Sequence, residues 1–357
     1  MDFGLSEEQE LLLETVRGFV ANECPPSRLR ELFDGDADYD LSVWQGMAEM
    51  GLAGLPVSED YGGAGLELID LALVAEVLGA AALPSPMLGH ALACIALSEG
   101  GSDAQKEAWL PRLAAGEALG TVALGEEAEA WDPGSWQVKV EDGRISGVKP
   151  FVPNAAQADL IVVGTAGGGL ALLERGAEGV KLEPVEGVDR TRRLERLTLD
   201  SAPCDPLPVA AGPRVRDAGL VLLAADAFGG AWKLVEMSAE YARTREQFGQ
   251  AIAHFQSVKH RLADMAVDVE PSRGLYWYAA HAFDHLPEEA ERAAAMAKSH
   301  ITERFISVAR DAVEVHGGIG FTWECDVQFY FKRAMFDRAF LGGPDQHLDR
   351  AAELASW

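Results

Sequence analysis

The hydrophobic period of this chain changes twice, and that double change narrows the folds open to it. At the start the spacing is helical. Ser6-Glu7-Glu8-Gln9 has the Ser-x-x-Gln form of a capping box, and Leu12, Val16, Phe19 and Val20 follow on one face. Helical patterning runs to about Glu117, broken by the Pro- and Gly-rich stretch Pro56 to Gly65, and Gln105-Lys106 through Trp109-Leu110-Pro111 closes a helix before a turn. Short β-branched runs then take over: Thr121 to Leu124, Gln137 to Val140, Leu160 to Val163, Leu170 to Leu173 and Leu197 to Leu199. Between two alternating runs, Asp142-Gly143 signals a hairpin, because both central residues of a type I′ turn need positive φ. Beyond the Pro-rich linker Ala202 to Pro208, helical patterning returns in four stretches, roughly 217–243, 254–284, 288–315 and 324–340.

Helices, then strands, then helices predict an α+β fold in three domains. These are an N-terminal helical domain over 1–119, a small antiparallel β domain over 120–210 and a C-terminal four-helix bundle over 211–357. The 48% apolar content of 357 residues can fill such cores. Residues Met1 to Gln9 lack the basic start and apolar block of a signal peptide, and no later segment shows the unbroken apolar length of a membrane span. A soluble cytoplasmic protein is therefore expected. The formal charge of −27 repels phosphate backbones and anionic lipid, which excludes nucleic acid and membrane as expected partners. Cys24, Cys94, Cys204 and Cys325 have no paired spacing, so neither a metal site nor a disulfide framework is expected, and buried thiols are.

The chemistry-bearing residues gather in the last third. Arg245 lies at a helix end before Phe248-Gly249. A guanidinium there can grip a pyrophosphate while Phe248 packs on a ring; equally, it can complement the helix dipole, with Gly249 as the stop. Gly317-Gly318-x-Gly320 offers backbone amides without side-chain obstruction, or simply terminates a helix. His316 beside it reads as a structural or capping histidine. Gln256 opens a helix, and Trp323, Phe329, Tyr330 and Phe331 read as core. An anionic ligand would need a local basic patch, and Arg190, Arg192, Arg193 and Arg196 offer either that or a solvated face.

Taken jointly and in order, these signals carry more. Tyr241 to Gly249, His254-Phe255-Gln256, Ala263-Asp264-Met265 and His316 to Phe321 resemble the C-terminal domain of the acyl-CoA dehydrogenases. Pro56 to Gly65, Gln105 to Glu117 and Gly147 to Ala155 are similar to that family's Pro/Gly loop, its domain-end signature and its Gly-x-Lys β-domain motif, so the resemblance spans nearly the whole chain. It implies FAD at a dimer interface. One subunit's β domain covers the isoalloxazine, and the neighbour's Arg245, Phe248, Gln256, Gly317 and Gly318, with Glu314 at a flavin-binding glutamine position, hold the adenosine pyrophosphate. It implies an acyl-CoA substrate, a glutamate that removes the α-proton, and an electron-transferring flavoprotein as acceptor.

Three positions depart from the pattern. The two places where the family keeps its base hold Leu341 and Gly219. Asp226, seven residues after Gly219 and on the same helix face, is the nearest candidate base; it lies about 10 Å farther along, and a polar residue at a helix crossing is the competing reading. Asp345, just past the Leu341-Gly342 step, is a further candidate behind Asp226. The β domain opens with Ala123 to Ala130 where a flavin-covering loop rich in hydroxyls is expected, and Glu314 sets a carboxylate near a pyrophosphate. One arrangement explains the first two departures together: a heteromeric α2β2 enzyme, similar to those that shorten steroid side chains as CoA thioesters, whose second acyl-CoA-dehydrogenase-like subunit supplies loop and base. The alternatives are a homotetramer using Asp226 or another carboxylate, and a catalytically silent scaffold.

Overall fold

The computed structural model describes residues 4–355. Six helices come first: α1 (Glu7–Glu23), α2 (Pro26–Asp34), α3 (Leu41–Glu49), α4 (Leu68–Ala80), α5 (Met87–Gly100) and α6 (Asp103–Ala114). Eight strands follow: β1 (Gly120–Ala123), β2 (Lys139–Glu141), β3 (Arg144–Pro153), β4 (Leu160–Thr165), β5 (Gly169–Glu174), β6 (Val180–Val185), β7 (Leu194–Pro203) and β8 (Asp205–Pro206). The remainder is α7 (Gly212–Thr244), the two-stranded ribbon β9 (Glu246–Gln247) and β10 (Gln250–Ala251), then α8 (Gln256–Val269), α9 (Arg273–His285), α10 (Pro287–His316), α11 (Val327–Ala339) and α12 (Pro344–Leu354). The fold is α+β: helices, a central sheet region and a C-terminal helix bundle.

Packing divides the chain differently from its order along the sequence. One unit gathers the residues up to Glu31, Ala72–Leu83 and Val221 onward; the other gathers Leu32–Leu71 and Pro84–Leu220. The expected N-terminal domain is thus split, with α1 in the unit of the C-terminal helices and α3, α5 and α6 in the unit of the sheets. The expected four-helix bundle also has more members. Pro271 lies in a short 3₁₀ turn that parts α8 from α9, and α12 follows a tight turn at Leu341-Gly342, where Gly342-Gly343-Pro344 breaks the helix before α12 begins.

In the second unit the strands form two four-stranded sheets, β1-β4-β5-β8 and β2-β3-β7-β6. The expectation of an antiparallel domain holds except at one ladder: β1 runs parallel to β4, with Gly120 opposite Leu160. Ile145, Val152, Ile161, Val163, Leu173 and Leu197 form the buried centre of this region. The turn between β2 and β3 carries Asp142 and Gly143 at φ 50° and 71°, the type I′ geometry the sequence predicts.

In the first unit the longest helix, α7, crosses α4 at two glycines. A Cβ on Gly79 would sit 2.1 Å from the Asp226 carbonyl oxygen, and one on Gly229 would sit 2.0 Å from that of Glu76. Only glycine allows backbones this close. The same helix corrects one expectation: α7 contains an 18-residue window of mean hydropathy 1.4, long and apolar enough to cross a membrane, yet 89% of it is buried in the protein. Its apolar surface meets protein core.

Candidate functional site

At one end of the first unit, α7 and α10 finish side by side. Tyr241, in the last turn of α7, stacks on His316, the last residue of α10, with ring centroids 4.4 Å apart, and His316 Nδ1 sits 2.7 Å from the Ala312 carbonyl oxygen. Burial lowers the basicity of His316. The histidine is therefore structural, and the stack fixes the origins of two loops: the one after α7 that carries Arg245 and Phe248, and the one after α10 that carries Gly317 and Gly318.

The first loop is a hairpin, which corrects the reading of Gly249 as a helix stop. The helix ends at Thr244; Gln247 then pairs with Gln250, and Phe248-Gly249 form the two-residue turn at φ 54° and 79°. A left-handed phenylalanine is strained, since its Cβ crowds the backbone. It is also 92% exposed, its ring meeting Phe255 edge-on at 6.0 Å. Arg245 is exposed at the base of the same ribbon, where its carbonyl accepts from the Ile252 amide at 2.8 Å.

Gln256 begins α8 and is exposed; no side chain caps that helix, and with the Val258 and Lys259 amides donating to the Phe255 carbonyl it is the amides of Gln256 and Ser257 that face outward for an anion. The second loop is equally open. Gly317 has φ 65°, and a Cβ on Gly317 or Gly318 would meet nothing within 4 Å. Around it Phe321 is 81% and Trp323 51% exposed, so Trp323 is not the core residue expected, whereas Phe329 and Tyr330 are buried. Glu314 is exposed on α10, and the charge it brings is partly offset by Arg261, 3.5 Å away; Arg261 also bonds Asp311 at 2.7 Å. Arg245, Phe248, Gln256, Gly317 and Gly318 thus share one open end of the helical unit, and Arg261 is a cation there that sequence reasoning missed.

Asp226 is elsewhere in character. It is buried in α7, and Arg333 Nη1 donates to both its oxygens at 3.0 Å, while Arg333 Nη2 donates to the Leu83 carbonyl at 3.0 Å. Both oxygens of this buried carboxylate are occupied by a fully buried guanidinium, so neither is turned toward a substrate. The candidate base is corrected to the helix-crossing ion pair that was its competing reading. At Leu341, φ is 60° and the side chain is buried; its carbonyl lies 3.0 Å from His347 Nε2, and Lys298 donates to the next carbonyl, of Gly342, at 3.1 Å. Asp345 is exposed at the start of α12.

In the second unit, the segment from Ala123 to Ala130 closes on itself. The Glu126 amide donates to the Ala130 carbonyl at 3.1 Å, and the Glu126 carboxylate accepts from the Gln137 and Val138 amides at 2.8 and 3.1 Å and from Lys149 Nζ at 2.9 Å. Burial pushes Glu126 up, but these partners outweigh it and leave it below the usual carboxylate range; burial brings Lys149 down to about 8 against the pull of Glu126. Trp131 packs so tightly that a Cβ on Gly125 would lie 2.6 Å from its ring, and it stacks on Phe151 at 6.0 Å. Pro153 has no amide hydrogen, and its carbonyl accepts from Thr121 Oγ1 at 2.5 Å. The Glu126, Gln137 and Val138 amides, the Thr121 hydroxyl and the Lys149 ammonium are thus all engaged internally.

The arginine cluster is likewise corrected. Arg192 donates to the Ser85 carbonyl at 3.3 Å, Arg193 to the Gly35 carbonyl at 2.6 Å and Arg196 to Glu127 at 2.6 Å, leaving Arg190 as the exposed member without such a bond. Cys24 and Cys94 are buried as expected, and Cys204 and Cys325 half-buried. Among the described residues no group of histidine, cysteine and carboxylate side chains suits a metal ion.

Comparison with known proteins agrees with this layout. Residues 6–117 match the model of the acyl-CoA dehydrogenase N-terminal domain, and residues 218–354 that of the C-terminal domain. The acyl-CoA dehydrogenase IpdE2 of Mycobacterium tuberculosis is 36% identical over 346 residues, covering 96% of each chain. Among solved structures, a variant of the steroid ACAD Tcur3481-Tcur3483 is 31% identical with a TM-score of 0.91 over 98% of each chain. The ChsE4-ChsE5 complex from Mycobacterium tuberculosis is 27% identical with a TM-score of 0.90, over 100% of this chain and 99% of the other. With fold, motifs and length all matched, the chain belongs to the acyl-CoA dehydrogenase family.

Proposed function

We propose that this chain is the adenosine-holding subunit of a heteromeric, FAD-dependent acyl-CoA dehydrogenase that desaturates a CoA thioester, with a steroid side chain as the acyl class. A second acyl-CoA-dehydrogenase-like subunit supplies the flavin-covering loop and the catalytic carboxylate. The observation that carries this reading is an asymmetry within one chain. The end of the helical unit that offers Arg245, Phe248, Gln256 and the unobstructed Gly317-Gly318 backbone is open, while the β segment that would cover a flavin is closed by Glu126, Lys149 and Trp131.

The exposed groups fit an adenosine diphosphate moiety. Arg245 supplies charge to the pyrophosphate, the uncapped α8 and the Gly318 amide donate to its oxygens, the Gly317 amide being spent on capping α10, and Phe248 covers a ring edge. Bound FAD supplies the hydride acceptor. This chain's part is to hold and orient its adenosine half; proton abstraction falls to the partner, because both Asp226 oxygens are taken up by Arg333 and Leu341 cannot take a proton. An electron-transferring flavoprotein is the proposed acceptor. The two-chain names of the Tcur3481-Tcur3483 and ChsE4-ChsE5 structures support a paired assembly.

The test is flavin content and assembly mass for the chain alone and co-expressed with an acyl-CoA-dehydrogenase-like partner. Flavin only in the co-expressed sample, at half a flavin per chain and lost with Arg245→Ala, is the expected result. One flavin per chain without a partner would restore the homotetramer, and undiminished turnover of the assembly carrying Arg245→Ala would favour a silent scaffold.

A further inference from the structure

A cavity of about 810 Å³ lies wholly within the first packing unit. It is lined by α1, the start of α2, α4 and α7, with Arg273 of α9 and Asp326 and Tyr330 at the start of α11, and includes none of the groups assigned to the flavin. Its volume falls within the range of small-molecule sites. The floor is made of small residues, Ala80, Ala81 and Gly229, and the opposing walls are apolar, with Val20 and Cys24 on α1 and Trp232 and Met237 on α7. From Arg17 to Cys24 the α1 wall extends about 10 Å at 1.5 Å per residue.

The lining carries three cations and three carboxylates, and their pairing is unequal. Glu76 is buried and accepts from Arg273 Nη1 at 3.0 Å and from the Tyr276 hydroxyl. Arg273 in turn lies 3.6 Å from Glu270 and over the Phe228 ring at 4.4 Å. Asp326 is held by Arg30. Two cations at the cavity are bound only loosely: Arg17, its side chain 57% exposed, has Glu76 at 3.9 Å, and Lys233, 41% exposed, has Glu236 at 3.7 Å. Glu76 and Asp326 already have closer partners, which leaves Glu236, 56% exposed, as the one loosely held carboxylate against two such cations. In a chain of net charge −27, an apolar slot whose loosely held charges are mainly cationic stands apart.

We propose that this slot is a second ligand site, separate from the flavin, which takes an amphipathic monoanion: a slender apolar body of about 10 Å with one carboxylate or sulfonate directed to Arg17 and Lys233. The apolar body lies on Ala80, Ala81 and Gly229 between the two walls, and the anion replaces the weak contacts of the two cations with direct charge-assisted bonds. Such an arrangement has the form of other ligand sites, an apolar cavity with a few convergent polar groups.

The probe is 8-anilinonaphthalene-1-sulfonate, titrated into the folded chain, with decanoate and decan-1-ol as competitors. Saturable fluorescence that decanoate displaces and decan-1-ol displaces at least five-fold less well is the expected result. Arg17→Gln should weaken the probe about five-fold by removing charge alone. Ala21→Trp, at an exposed α1 position on the lining, should abolish binding by filling the slot. Both variants change exposed positions, and an unchanged unfolding midpoint checks that each is folded. Non-saturable fluorescence, or a titration unaffected by either substitution, overturns the site; equal displacement by decan-1-ol overturns the requirement for an anion.

Discussion

A carboxylate buried against a guanidinium and a carboxylate that abstracts a proton respond oppositely to the same substitution. Asp226 is of the first kind, so Asp226→Asn should leave the Arg333 charge without its counter-ion in the core and destabilise the chain by about 3–5 kcal/mol, read from urea unfolding. Replacing both residues with leucine should recover much of that loss. A catalytic Asp226 would instead lose turnover at unchanged stability. Glu195 offers a second test at this scale. Buried at the start of β7, it accepts from the Ala155 amide at 2.6 Å and faces Asp38 and Arg193; burial chiefly, with Asp38 adding, raises it to about 7. A carboxyl raised in the folded state binds more protons than in the unfolded one, so its stabilising contribution is full below pH ~4.5 and is lost as pH rises through about 7. The stability of Glu195→Gln relative to the parent should therefore climb between pH 4.5 and 8; a flat difference would remove Glu195 as the titrating group.

The ribbon β9–β10 is the element on which structure and function pull apart. The first turn residue of a type I′ hairpin favours asparagine, and a phenylalanine there costs about 1 kcal/mol or more. Phe248→Asn should raise the unfolding free energy by about that amount while lowering flavin retention in the assembled enzyme. If flavin retention stays level, the ring does not serve the cofactor. The sequence shows the Phe-Gly pair but not its conformation, because at a helix end the same two residues serve as a stop. Asp142-Gly143, set between alternating strands, is unambiguous and is found as expected. Glu126 and Lys149 lie twenty-three residues apart in different strands and loops, so their pairing depends on tertiary structure; a lysine within a strand-like run is the one local sign that a carboxylate must answer it.

At the scale of the molecule, the order of helices and strands is legible because period alone reports it, and the residues proposed to hold the adenosine stand out because they cluster in short ordered motifs. The division into two packing units is not, since α1 and part of α4 join helices that follow well over a hundred residues later, and no local pattern encodes that. Net charge is the remaining global property with a physical consequence. At −27 the compact state repels itself, and salt screens that repulsion over about 10 Å at 0.1 M. Opposing it are surface pairs such as Lys181–Glu183 and Arg243–Glu240, each largely exposed and worth at most about 1 kcal/mol. The buried pairs, Asp226–Arg333 and Glu126–Lys149, are shielded from ions. Repulsion should therefore dominate the response, and the thermal midpoint of the isolated chain should rise by ~2 °C or more between 20 and 300 mM NaCl, by an order-of-magnitude reckoning. A midpoint that falls over that range would mean that the exposed ion pairs outweigh the excess of acid.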